Sequence, residues 1–239
     1  MTTLRLICFL MMRKKLSVPS LKFADQSSTH QATASQQAEQ DSRLMKYFKL
    51  NPNVASKKWE GYVNLGELIY KGEEVDDVEL SNSRAPCTLK PLQYEILAPG
   101  ATAPVNTIGA DFFVFDESLK GLNTLATECV QYLPITHENQ ETRYRLLHAY
   151  SHVDCIDWDL SKYEAWPKDH VIMEWQNPRG RFFFEPVLIA EKIPETLEVF
   201  RLEGWGGAFN IVVGEEYKEK LLALDFDHSF LEFHPITVV

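Results

Sequence analysis

Cysteine is scarce in this chain: Cys8, Cys87, Cys129 and Cys155 are the only four in 239 residues, and no two form a C-x-x-C pair. That density excludes a disulfide-stapled secreted scaffold and points to a reducing cytoplasm. Long apolar runs are missing as well. The N-terminal run Leu4–Met12 has nine residues, contains Arg5 and is followed by Arg13-Lys14-Lys15. A bilayer span needs about 20 apolar residues, and a secretory signal carries its positive charge before the apolar run, not after it. Basic excess is missing too: 24 Lys+Arg stand against 34 Asp+Glu, a formal net charge of −10. This disfavours general nucleic-acid binding, which needs a basic stripe, and suits a basic partner. No G-x-S-x-G elbow, no H-E-x-x-H and no Walker lysine loop occurs.

What is present is an ordinary globular composition, 45% hydrophobic and 12% aromatic. A chain of this length buries roughly 70–75% of its unfolded surface and needs no metal or disulfide to fold. Composition changes near residue 44. Residues 1–44 contain no Gly, Trp or Tyr and carry six basic and three acidic side chains, which leaves residues 45–239 at −13. Within them Asp25–Gln40 (DQSSTHQATASQQAEQ) has no aliphatic side chain larger than Ala, too little to offset its ordering entropy. The expectation is a disordered leader or upstream translation over 1–44, with Met45 as the physiological start. A β-rich subdomain is then expected over 45–100 and an α+β subdomain over 101–239, divided where Pro99, Gly100, Pro104 and Gly109 cluster.

The fold class expected is α+β: mainly antiparallel sheet, few helices, and a C-terminal strand–helix–strand unit. Met45–Leu50 and Asp111–Phe115 read as strands. Asp116 is placed to cap a helix with Leu119, Leu122, Leu125, Ala126 and Cys129 on one face. Cys129–Thr136 and Thr142–Val153 read as strands around a polar connector, and in the second Tyr144, Leu146 and His148 alternate with Arg143, Arg145 and Leu147, a half-buried period of two. Val171–Trp175 and Arg181–Ala190 read as a hairpin around Gln176-Asn177-Pro178-Arg179-Gly180. Glu198–Leu202 and Phe209–Val213 follow as strands, Glu215–Leu224 as a helix whose Glu215 and Glu216 suit its dipole, and Phe230–Phe233 as a strand stopped by Pro235.

The densest polar cluster is His148-Ala149-Tyr150-Ser151-His152-Val153-Asp154-Cys155-Ile156-Asp157. On a helix the two His would share a face and suit zinc, but on a strand their rings lie about 13 Å apart at roughly 3.3 Å per residue. The cluster therefore reads as a strand with exposed His and an acidic loop. A hydrolase using His152, Asp154 and Cys155 is the enzyme alternative. Gly204-Trp205-Gly206-Gly207 reads as a bend between strands, because a strand follows it where a phosphate loop needs a helix. No metal or cofactor is expected.

From Met45 onward the chain resembles the immunity protein 11 family of bacterial polymorphic-toxin systems. The resemblance is carried by the MKYFKL start and by Leu133-Pro134-Ile135-Thr136. It continues in Val153-Asp154-Cys155-Ile156-Asp157-Trp158-Asp159-Leu160-Ser161, then in Lys192-Ile193-Pro194 before Val199-Phe200-Arg201-Leu202. The closing Phe209–Lys218 unit completes it. Gly214 stands where that family leads one to expect a Ser cap. In Val153–Ser161, Asp157-Trp158 anchors a loop and Ser161 caps it. The resemblance implies a cytoplasmic immunity protein that binds and neutralises a cognate toxin domain, encoded by an adjacent gene, without catalysis. It implies neither nucleic-acid nor membrane binding and leaves a homodimer open. A secretion-system accessory role is the other alternative. Candidate toxin-binding residues are the acidic run Glu73, Glu74, Asp76, Asp77 and Glu79, with Tyr163, Trp166 and Trp205. Trp59 and Trp175 are further aromatic candidates, since aromatics dominate binding hot spots.

Overall fold

The run Phe112-Phe113-Val114-Phe115 has no polar residue to turn toward water. In a strand such a run requires cover on both faces, and the structure supplies it. The computed structural model describes residues 46–109, 112–137, 140–174, 176–207 and 209–239. The leader expected over 1–44 and the Met45 start lie outside the described residues.

A seven-stranded sheet runs in the order β3 (Glu73–Glu74), β2 (Asn64–Tyr70), β4 (Leu92–Ala98), β7 (Val130–His137), β8 (Gln140–Ala149), β6 (Phe112–Asp116) and β5 (Val105–Ile108). A six-stranded sheet runs β12 (Val187–Leu188), β15 (Leu231–Val238), β1 (Tyr47–Pro52), β14 (Val212–Gly214), β13 (Val199–Leu202) and β9 (His152–Val153). β10 (Lys162–Glu164) and β11 (Phe182–Glu185) form a separate ribbon. The two α-helices among the described residues are α1 (Asp77–Asn82) and α2 (Glu215–Leu222). The fold is therefore α+β and mostly sheet, as expected. Both large sheets are mixed, since β4–β7, β9–β13 and β12–β15 pair in parallel.

Alternation along the strands sorts the apolar side chains into three cores. Phe113, Phe115, Leu147 and Ala149 of the seven-stranded sheet pack with Phe48, Leu50, Val199 and Val213 of the six-stranded sheet, and with Tyr217 and Leu221 of α2. The alternate positions Phe112, Val114, Tyr144 and Leu146 face a second core that includes Leu80 of α1. Tyr47, Phe200, Leu202 and Val212 face a third core with Cys155, Ile156, Leu188 and Trp205. β8 is thus buried on both faces from Leu146 onward, and His148 is buried where an exposed His was expected.

Other expectations need correction. No α-helix follows Asp116. Its carboxylate accepts the Ser118 N–H in a local turn, and Gly121 at φ +87° ends that turn before a 3₁₀ turn over Leu122–Leu125. A left-handed residue cannot continue a right-handed helix. Residues 171–174 form no strand. β11 takes its ladder from β10 instead, and the Arg181 N–H bonds the Glu164 carbonyl at 2.7 Å. β14 starts at Val212 because Phe209 sits at φ +52°. β15 runs through Pro235, which lies opposite Phe48 where β12 does not reach; that pairing involves only Thr237 and Val238. A proline is tolerated in a strand where no ladder needs its N–H. The strand–helix–strand unit β14–α2–β15 is present, with Gly214 at the cap making no side-chain bond.

Candidate functional site

The sheet topology places one polar constellation at an apolar strand. β9 pairs in parallel with β13 so that His152 lies beside Arg201, and Arg201 N–H and Glu203 N–H bond the carbonyls of Ser151 and Val153. Partnered positions in a parallel ladder share a face. His152, Arg201 and, two residues on, Glu203 therefore line one groove of about 720 Å³. Arg201 is buried at 3% exposure. Its Nε donates to the Ala149 carbonyl (3.1 Å), and its guanidinium carbon stands 5.8 Å from the Phe112 ring centroid. The His152 side chain is 7% exposed, and its Nε2 has no hydrogen-bond partner among the described residues. Its Nδ1 is 3.9 Å from Glu203, which pairs with Arg84 at 2.5 Å. Burial first, then the Arg201 and Arg84 charges, hold the His152 pKa below the usual imidazole value; Glu203 and the Ser81 backbone pull the other way.

Three further segments close the groove. α1 and the residues after it contribute Val78, Ser81, Asn82 and Arg84. The turn after β13 contributes Gly204 to Gly207 and is stapled by Asn210, whose Nδ2 donates to the Leu202 and Trp205 carbonyls at 2.9 and 3.0 Å. Glycine is required at 206, because a Cβ there would lie 2.6 Å from the Phe183 ring. The third segment is the excursion between β10 and β11, which contributes Glu174, Gln176 and Asn177; Asn177 Nδ2 bonds the Gly204 carbonyl at 3.2 Å.

The excursion is held by its own polar contacts. Trp166 Nε1 donates to the Asn177 carbonyl (2.7 Å), and its indole stacks on His170 at 4.2 Å. Gln176 Oε1 accepts from the Met173 N–H and from His170 Nε2, both at 2.9 Å. The turn so pinned presents Val171 (77% exposed), Ile172 and Met173 to solvent. Leu160, Phe182 and Phe184 are exposed nearby in sequence, so among the described residues six of the ten exposed large hydrophobic side chains belong to residues 160–184.

The candidate residues distribute as follows. Glu73, Glu74, Asp76 and Glu79 are exposed, and Asp77 is half-buried. Asp76 caps α1 by accepting the Glu79 N–H at 2.9 Å. The five occupy β3 and the start of α1, where an exposed loop and strand were expected. Glu73, Glu74, Asp76 and Glu79 edge a smaller pocket of about 410 Å³ with Tyr70 and Cys87, and Val78 lines the larger groove. Tyr163 is half-buried, stacked on Phe183 at 6.1 Å. Trp205 is 6% exposed and packs on Phe183 and Trp158, so it forms the groove floor and not a protruding anchor. Trp59 is half-buried against Phe230, and Trp175 lies outside the described residues.

The His152, Asp154 and Cys155 trio is not assembled. Asp154 is exposed, while Cys155 is fully buried in the third core, and burial with the Asp154 charge pushes its thiol up to about 12. A thiol that stays protonated at neutral pH is no nucleophile. The Asp157–Ser161 loop is structural, as read from sequence: Asp157 Oδ1 accepts the Asp159 and Leu160 N–H groups, and Ser161 Oγ bridges the Asp157 carbonyl to the Val187 N–H. Sequence reasoning missed Arg201. The available signal was a guanidinium inside the apolar strand Val-Phe-Arg-Leu, where only a paired or functional charge is buried.

No protein-family model matches the chain, and no curated protein matches it. The resemblance to the immunity protein 11 family rests on its short motifs alone. Among the described residues no helix is long and apolar enough to cross a membrane.

Proposed function

We propose that this protein is an immunity protein, which binds a cognate toxin domain encoded next to it and neutralises it without catalysis. The observation that supports this reading best is that the groove takes Val78, Ser81 and Asn82 from α1, which follows the acidic segment Glu73–Glu79 in the chain, and Glu174, Gln176 and Asn177 from the excursion that exposes Val171, Ile172 and Met173. Exposed aromatic and aliphatic anchors beside charge of one sign are the make-up of a protein interface. The −13 carried by residues 45–239 would draw in a basic toxin and speed encounter. The enzyme alternative is disfavoured by the buried, protonated Cys155 and the outward Asp154.

Co-expression with the adjacent toxin tests the proposal. The chain restores growth and co-purifies with the toxin. A variant carrying Ile172→Ser and Phe184→Ser, both at exposed positions, keeps its fold and loses at least tenfold in affinity, the scale of one lost hot spot. Growth arrest that persists beside the folded wild-type chain would overturn it.

A further inference from the structure

We propose that β11 is a homodimer edge, at which the β11 strands of two copies of this chain pair antiparallel about Phe183. Among the described residues β11 pairs only with β10. The Arg181 N–H bonds the Glu164 carbonyl of β10, and backbone groups turn to alternate sides along a strand. Phe182 and Phe184 therefore present their N–H and C=O groups to the opposite side, where no backbone partner meets them among the described residues. Their side chains are 44% and 63% exposed. Edge strands are ordinarily guarded by charge, proline, a bulge or a covering element. β11 carries three consecutive Phe instead, and the irregularity in the ribbon falls in β10, between Lys162 and Tyr163. An edge left in this state is a template for one more strand.

The sequence selects which strand fits. Arg181-Phe182-Phe183-Phe184-Glu185 is its own charge complement when reversed. Paired about Phe183, Arg181 of each copy stands opposite Glu185 of the other, and Phe182 stands opposite Phe184. Ion pairs then close both ends, the exposed phenyl rings cover one another, and Phe182 and Phe184 exchange their outward backbone bonds. The neighbouring registers fail. Centred on Phe182, the pairing sets Phe184 against Gly180, which is buried outside the strand. Centred on Phe184, it sets Phe182 against Pro186, which has no N–H to give. Charge does not oppose the approach: residues 162–164 and 181–185 carry Lys162 and Arg181 against Glu164 and Glu185 and are neutral, in a chain of net charge −10. Within one copy Glu185 pairs with Lys162 at 2.5 Å, while Arg181 lies 3.9 Å from Glu164 and over the Phe182 ring at 4.7 Å. Exposed pairs of this kind contribute little, so a second copy competes for both side chains at small cost. Phe183 is already anchored on Tyr163 and Trp205, so pairing orders little new chain.

The inference concerns the chain alone, so it stands or falls separately from the toxin reading, although Phe184 enters both. The contact is small, and dimer and monomer exchange at concentrations on the order of 10 µM. Sedimentation velocity of the full chain without toxin, across that range, shows a concentration-dependent shift from monomer to dimer. Arg181→Glu sets like charges against Glu185 of the other copy at both ends of the pairing, and Glu185→Arg does the same against Arg181. These side chains are 54% and 66% exposed, so each variant keeps its fold, which circular dichroism checks. Each loses about tenfold or more in dimer affinity. An equimolar mixture of the two variants restores the dimer, because each copy then meets the opposite charge at both ends. A wild-type chain that stays monomeric overturns the inference and leaves β11 to a strand of another protein. Dimerisation that both charge variants leave unchanged, or that mixing them does not restore, overturns it as well.

Discussion

Acidification is expected to destabilise this protein through one buried side chain. His148 is fully buried in β8. Its Nε2 donates to the Leu80 carbonyl (3.2 Å), and its Nδ1 faces Gln131 Oε1 (3.4 Å), which already accepts the Cys87 N–H. Burial, reinforced by Arg201 and His152 and opposed by the Leu80 carbonyl, lowers its pKa from 6.5 to about 4. The folded value lies below the unfolded one, so the unfolded chain takes the proton first. Stability is complete above the unfolded pKa and falls as pH drops, levelling off once the folded His148 itself titrates. Linkage over that interval gives a loss of about 2 kcal/mol at pH 5 and about 3 kcal/mol at pH 4. Urea unfolding at pH 7.5, 6, 5 and 4 measures it, with His148→Gln for comparison, which keeps a donor for the Leu80 carbonyl and does not titrate. The variant is expected to lose most of the slope and to retain a smaller part from His152. An equal slope in the variant refutes the reasoning. So does an NMR titration of the folded protein that puts His148 at or above 6.5, a measurement that stands even where the variant folds poorly.

Three other outcomes follow from particular contacts. Tyr132 and Tyr217 hydrogen-bond to each other through their hydroxyls inside the first core, so either single Phe substitution leaves a buried hydroxyl unpaired and costs about 1–3 kcal/mol. The double substitution costs less than the two singles together, and a double-mutant cycle by denaturation checks this. Gly206→Ala drives a Cβ into Phe183 and is expected to lower Tm by several degrees and shift tryptophan fluorescence, since Trp205 and Trp158 pack on that ring; an unchanged Tm contradicts the close approach. Replacing Glu73, Glu74 and Glu79 with Lys, all exposed and none of them the α1 cap, leaves stability nearly unchanged. The same change slows association with a basic partner and flattens its salt dependence, read by stopped-flow at two ionic strengths.

How much of this was legible from residues alone depended on how local each cause was. Phe112–Phe115, the β7–β8 hairpin and the β14–α2 unit declare themselves because their periodicity and neighbours suffice. The hairpin expected over Val171–Trp175 and Arg181–Ala190 failed because the loop signal was genuine but the partner was not. Gln176 and Asn177 bond within the excursion and to Gly204, while Phe182–Glu185 takes its ladder from Lys162–Glu164, some twenty residues earlier in the chain. The apolar residues 171–173 looked like strand and are instead exposed surface, a distinction that burial makes and hydrophobicity does not. Pro235 misled for the same reason: a proline stops a strand only where a neighbouring strand needs the missing N–H, and β12 reaches only Thr237 and Val238.

The groove marks the limit of local reasoning. Its walls come from residues 78–84, 152, 174, 176–177, 201–207 and 210, and no spacing rule connects them. Their meeting depends on β9 and β13 pairing in parallel, a crossover made by tertiary packing and not by any turn. Yet the central residue carried its own sign. Val199, Phe200 and Leu202 are all buried, and a charged residue among them must be buried too, with its partners supplied from elsewhere in the fold. An arginine in such a strand thus predicts a site from the amino-acid pattern alone. The fold supplies the identity of its neighbours, His152 on the adjoining strand and Glu203 two residues on.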